Sequence, residues 1–171
     1  LDKCDGYLPL EIKAVPEGSF VPCGVPIFTI INTAPKFFWL TNMIETLVSN
    51  VLWQATTSAT TSFRYAKVFR EYAAMTGGDT TFTKFQGHDF SFRGHAAFES
   101  AVTSAAGHLL SFTGTDTVPA IDFFEEYYNA NSDNELIGGS VAASEHSVAC
   151  LGSTYDEDGE PDDYAYFLRM V

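Results

Sequence analysis

Three short polar clusters hold side chains capable of chemistry: His88-Asp-Phe-Ser-Phe-Arg-Gly94, Thr115-Asp116-Thr117 and Ser144-Glu-His-Ser147. Arg93 carries a planar fork of donors suited to phosphate or carbonyl oxygens. Asp116, when ionised, is an acceptor only, so it takes an amide N–H and repels a second carboxylate. A neutral imidazole such as that of His146 is a competent nucleophile, and Glu145 beside it, or a neighbouring carboxylate, is a candidate to orient the ring. Each residue also has a plain structural reading. Phe90 is one of 15 phenylalanines and reads as core; Arg93 reads as a surface ion pair. Asp116 reads as an N-cap for a helix starting near Val118, and a lone histidine is more often structural. His88, His95 and His108 show no metal-ligand spacing and are read as structural, the last two on a helix.

The elements around these clusters follow from hydrophobic periodicity. Residues 7–33 are strand-like: Leu8, Leu10, Ile12 and Ala14 alternate with other residues, Pro16-Glu-Gly turns, and Phe20 to Ile31 returns, weakened by Gly24 and Pro26. From Phe37 to about Thr57, Leu40, Ile44, Leu47, Val48, Val51 and Leu52 recur at three and four residues, which predicts a helix. A second helix is expected from Ser62, closed by Gly77-Gly78. Beyond Thr80 the order becomes strand, loop, helix, repeated. Phe82 to Phe90 reads as a strand, Gly94 to about His108 as a small-residue helix, and Leu109 to Phe112 as a short apolar run. A helix opened by Pro119 places Val118, Ile121, Phe124 and Tyr128 on one face, and Gly138 to Ser147 is a third strand-then-loop. Alternating strands and helices imply parallel βαβ units, whose chemistry lies at strand C-terminal ends, where the three clusters fall. Asp156 to Asp163 reads as a solvated acidic loop whose spacing does not fit a calcium site.

The chain has 171 residues, enough for one domain with a sizeable core. A hydrophobic content of 46% is ordinary for a globular protein and argues against disorder. Nine Lys and Arg stand against 22 Asp and Glu, a formal charge of −13, so neither a nucleic acid nor an anionic membrane is an expected partner. No apolar run is long enough to span a membrane, and Leu1-Asp-Lys-Cys4 lacks the layout of a signal peptide. Three cysteines, Cys4, Cys23 and Cys150, suggest neither a disulfide framework nor a zinc site, and a reducing cytoplasm is the expected compartment. Leu1 is not an initiator Met, and the amphipathic stretch Tyr164 to Val171 has no stop signal, so the chain reads as a piece of a longer protein.

Five segments carry a resemblance, in order and across most of the chain: Gly6 to Gly18, Trp39 to Thr46, His88 to Gly94, Phe112 to Val118 and Ser144 to Ser147. Together they resemble the nicotinamide phosphoribosyltransferase family, whose members are much longer. The resemblance implies an α/β fold. Residues 1–35 would be a β-rich segment of the sheet domain, 36–78 a helical connection, and 79–171 the first part of an incomplete (β/α) barrel of the type II phosphoribosyltransferase kind. It implies transfer of phosphoribose from phosphoribosyl pyrophosphate to nicotinamide in a homodimer, with Mg²⁺ on the leaving pyrophosphate and ATP hydrolysis through a phosphohistidine. By the same likeness Phe90 stacks on the nicotinamide ring and Arg93 lies near the base and the ribose phosphate. Asp116 accepts from the carboxamide nitrogen, Ser140 and Val141 line the base tunnel, and His146 is phosphorylated. No phosphate-cradling loop is visible, so this chain alone is expected to be inactive. Alternatives are a nicotinate phosphoribosyltransferase, which should lack an acid at position 116, and a truncated, non-catalytic relative that only binds a base.

Overall fold

The computed structural model describes residues 4–170. The readings of Leu1 and of a helix reaching Val171 lie outside the described residues. The N-terminal part is an antiparallel hairpin, β1 (Leu10–Ala14) against β2 (Phe28–Asn32), in register Leu10 with Asn32 through Ala14 with Phe28. The second strand is shorter than the apolar run suggested, because Gly24 and Pro26 interrupt pairing before Phe28.

Where two helices were expected there is one, α1 (Leu40–Met75), 36 residues long and so about 54 Å from end to end. The segment between the two expected helices, Ser58-Ala-Thr-Thr-Ser62, is small and polar but contains neither Gly nor Pro. Weak propensity alone does not stop a helix whose flanks are packed. The stop at Gly77-Gly78 is as expected. Gly77 takes φ +71° and the Gly78 N–H donates to the Ala73 carbonyl at 2.8 Å, the paired pattern of a Schellman end.

The second helix, α2 (Phe98–Leu109), packs along α1 through Ala101, Val102, Ala105, Ala106 and Gly107, all buried. Small side chains let the two backbones approach: Ser58 Oγ on α1 donates to the Ser104 carbonyl on α2 at 2.6 Å. A Cβ on Gly107 would sit 2.6 Å from the Ala55 carbonyl oxygen. The helix starts four residues later than Gly94, since Ser91–Gly94 form a separate 3-10 turn and His95 is extended. His95 therefore stands between the two, not on a helix.

The parallel elements are short. The expected strand from Phe82 to Phe90 is a 3-10 turn, Phe82–Phe85, followed by β3 (His88–Asp89). β3 pairs in parallel with β4 (Gly114–Thr115), and Gly139 adds an isolated parallel bridge on the other side of Gly114. Thus α2 connects β3 to β4, and α3 (Pro119–Tyr128), opened by its proline, leads from β4 toward Gly139. This is the crossover pattern that parallel pairing requires. Phe112, buried before β4, packs its ring on Phe69 of α1 and on His108 of α2 and closes the core at this level.

Beyond Gly139 come α4 (His146–Gly152), a small hairpin of β5 (Thr154–Tyr155) and β6 (Pro161–Asp162), and α5 (Asp163–Met170). The acidic stretch is the tip of that hairpin, where Asp156 Oδ1 accepts the N–H groups of Asp158 and Glu160. The described residues thus form a mixed α/β arrangement with five α-helices and three two-stranded sheets.

Candidate functional site

The parallel pairing of β3 with β4 sets the clusters at positions 88–93 and 115–117 side by side. Successive side chains on a strand point to opposite faces, so His88 and Phe90 share one side and Asp89 takes the other. Asp89 points inward. It is 8% exposed and its carboxylate takes four hydrogen bonds. Oδ1 accepts the Ser91 N–H (2.9 Å) and hydroxyl (2.6 Å), and Oδ2 accepts the hydroxyls of Thr115 (3.2 Å) and Thr117 (2.8 Å). Burial pushes this carboxyl up, but the hydrogen bonds from Ser91 and Thr117 outweigh it and hold Asp89 below the usual carboxylate range. Because both threonines are fully buried, Asp89 locks the end of β3 to the end of β4.

Behind this lock, Ser91 Oγ is 3.1 Å from His95 Nε2, and His95 Nδ1 is 3.0 Å from Gln54 Nε2 on α1. Ser91 spends its proton on Asp89 and Gln54 donates from its amide, so the consistent assignment puts the His95 proton on Nε2. His108 is likewise structural: its Nε2 donates to the Gly114 carbonyl at 2.9 Å, and burial lowers its pKa.

Asp116 lies on the outer side of the lock, partly exposed, with its N–H donating to the Asp89 carbonyl at 2.9 Å. One oxygen, Oδ1, accepts the Ser140 hydroxyl at 2.6 Å and meets His88 Nε2 at 2.8 Å. A carboxylate only accepts, so the imidazole donates. These bonds, Ser140 first and His88 second, hold the Asp116 carboxyl below the usual range, with the Arg93 charge adding to the effect. Oδ2 takes no hydrogen bond among the described residues. The N-cap position of α3 is Val118, without a side-chain cap, so the capping role considered for Asp116 is not the one it plays.

The ring of Phe90 is 57% exposed and stacks on His88 with centroids 4.2 Å apart and planes 29° apart. The core reading of Phe90 is therefore overturned. Arg93, in the 3-10 turn, is exposed and makes no close ion pair among the described residues. Val141 follows Ser140 and is exposed.

Phe90, Asp116 and Ser140 thus converge, with Arg93 near. Glu145 and His146 do not join them by any hydrogen bond among the described residues. His146 is the exposed first residue of α4, its Nε2 3.6 Å from Cys150 Sγ, and Glu145 precedes the helix without a side-chain cap. The residue overlooked from sequence is His88. The signal was present in the alternation His88-Asp89-Phe90, which puts His88 on the side of Phe90 once a strand is recognised there.

Among the described residues no group of three or more His, Cys, Asp and Glu side chains converges to hold a metal, and no helix is long and apolar enough to cross a membrane. Cys4, Cys23 and Cys150 carry free thiols.

Comparison with known proteins gives a consistent picture. Residues 85–160 match the Nicotinate phosphoribosyltransferase (NAPRTase) family. The chain is 51% identical over 152 residues, 89% of its length, to nicotinamide phosphoribosyltransferase of Acinetobacter baylyi, of which it covers 30%. It is 34% identical over 171 residues to the Xanthomonas campestris protein of that name, covering 35% of it, and 33% identical over 167 residues to that of Mycoplasma genitalium, covering 33%. The chain therefore spans about a third of the length of the curated relatives it matches.

Proposed function

We propose, from the premise that this chain is a homologue of the nicotinamide phosphoribosyltransferases over most of its length, that it supplies the base-recognition part of an enzyme transferring phosphoribose to nicotinamide. The observation that carries the reading is the state of Asp116. It is ionised at neutral pH, committed through Oδ1 to Ser140 and His88, and has Oδ2 available to a ligand. A carboxylate so presented accepts the carboxamide N–H of nicotinamide and repels the carboxylate of nicotinate. Phe90 offers its exposed face to the pyridine ring, Ser140 and Val141 border the same position, and Arg93 offers its exposed guanidinium to phosphate oxygen.

In the reaction the pyridine nitrogen lone pair bonds to the ribose anomeric carbon as the bond from that carbon to pyrophosphate breaks, the electron pair leaving on oxygen. Little covalent help is required, and the contribution of these residues is orientation and charge. Magnesium would travel with phosphoribosyl pyrophosphate. The described residues offer it no cluster of ligands, and no step assigned to them passes through it.

ATP coupling falls to His146, whose exposed imidazole would attack the terminal phosphorus and release ADP, with Glu145 orienting the ring. The barrel into which β3 and β4 would continue, the homodimer, the cytoplasmic location and the inactivity of the 171-residue chain on its own belong to the same proposal.

The test is a competition assay on the product of the full reading frame, given phosphoribosyl pyrophosphate, Mg²⁺ and equal nicotinamide and nicotinate, with products identified by mass. Nicotinamide mononucleotide as the main product is the expected result. The nicotinate product would overturn the role of Asp116, and no product would favour a non-catalytic relative.

A further inference from the structure

The geometry points to His88 as the positioning residue that sets both halves of base recognition, an inference that rests on the function proposed above. Its imidazole touches both Asp116 and Phe90: a hydrogen bond from Nε2 at 2.8 Å to the first, a stacked ring with centroids 4.2 Å apart to the second. The side chain is 11% exposed, so the ring is held by its surroundings and not by solvent. Gly114 makes the space. A Cβ there would lie 2.6 Å from His88 Nδ1, and any side chain on β4 at this point would push the ring off Asp116.

Two consequences follow from one ring. Together with Ser140, His88 places a second donor on Oδ1, and two donors converging on one oxygen restrict the carboxylate torsion. The free oxygen, Oδ2, is then presented in one direction. At the same time the imidazole backs one face of Phe90, so the phenyl ring is fixed with its other face outward. The stacking surface and the acceptor therefore keep a constant relative placement, which is what reading a flat ring and its carboxamide together demands.

Two substitutions separate the functions in the product of the full reading frame. His88→Phe keeps a ring against Phe90 and removes the donor to Asp116. His88→Gln keeps a donor near the Nε2 position and removes the ring. The expected result for His88→Phe is a loss of nicotinamide over nicotinate discrimination of roughly ten- to hundredfold, the range for a hydrogen bond to a charged group. The same substitution in an Asp116→Asn background should leave discrimination unchanged, because the residue through which His88 acts is already neutral. For His88→Gln the discrimination should persist while KM for nicotinamide rises a few-fold. A purely structural histidine would lower activity toward both bases equally in all three variants.

A readout independent of turnover keeps this separate from the function proposed. Titration of the Asp116 carboxyl by carbon-13 NMR should shift upward in His88→Phe and not in His88→Gln. Unchanged Asp116 titration and unchanged discrimination in His88→Phe would overturn the positioning role. Wild-type preference for nicotinate with an upward shift in His88→Phe would instead overturn the proposed substrate and leave the His88–Asp116 bond standing.

Discussion

Asp89 Oδ2 accepts the hydroxyl of Thr117 at 2.8 Å, a buried hydrogen bond that joins two residues 28 positions apart. With Thr115 and Ser91 on the same carboxylate, it ties the end of β3 to the end of β4, the two chain segments that carry Phe90 and Asp116. Asp89→Asn replaces two acceptor oxygens by one acceptor and one donor, facing hydroxyls that already donate. It should destabilise the protein by about 1–3 kcal/mol, seen as a lower denaturant midpoint at unchanged m-value.

Acid should weaken the fold in two separate windows. Burial lowers the pKa of His108, so the unfolded chain binds more protons and stability falls as pH drops from about 6.5 toward its folded value. Asp89, also lowered, contributes stability that is complete above its ordinary value of about 3.8 and is lost only at more acid pH. Urea midpoints measured between pH 7 and 5 should decline, and His108→Gln, which retains a donor toward the Gly114 carbonyl, should flatten that decline. An equal slope in the variant would place the titrating group elsewhere.

At the crossing of α1 and α2, Gly107 has no room for a methyl group. Gly107→Ala puts Cβ against the backbone of Ala55 and Ala59, atoms that cannot swing aside. The helices must separate, and a loss of about 1–3 kcal/mol is expected despite the higher helix propensity of alanine. Thermal unfolding of the variant reads this directly; a gain in stability would mean that the helices pack less closely than 2.6 Å implies.

Asp116→Asn removes the negative charge and retains the shape. In the product of the full reading frame, kcat/KM for nicotinamide should fall by roughly tenfold or more, while use of nicotinate should fall less or rise. Equal effects on both bases would show that the carboxylate is not the selector.

Phe90→Ala removes an exposed ring and should cost little stability. The stacking contribution of roughly 0.5–1.5 kcal/mol would appear as a KM for nicotinamide raised about three- to tenfold at similar kcat. Phe90→Tyr should restore it. A drop in thermal stability with unchanged KM would return Phe90 to a structural role.

Much of this was legible in residue order. The period of Leu40 to Leu52, the proline before Ala120, the glycine pair after Met75 and the acidic residues before Tyr164 each specify a local conformation, and the helices lie where those signals put them. The residue types at positions 90, 93, 116, 140 and 146 pointed to chemistry, and Phe90, Asp116 and Ser140 gather around His88 while His146 stands apart on α4.

What residue order left open was every relation that depends on partners far away in the chain. Nothing local distinguished one long helix from two, because the continuity of α1 is decided by packing on α2 and not by the propensity of residues 58–62. Two-residue strands such as β3 and β4 leave no periodicity to detect, yet their parallel pairing alone brings His88 to Asp116. Asp89 carries no sign of its role until four donors surround it, and His88 reads as structural until a strand puts it beside Phe90. Side-chain chemistry is a property of the residue. Which acid is buried, which is poised, and what each one faces are set by contacts that exist only after the strands pair.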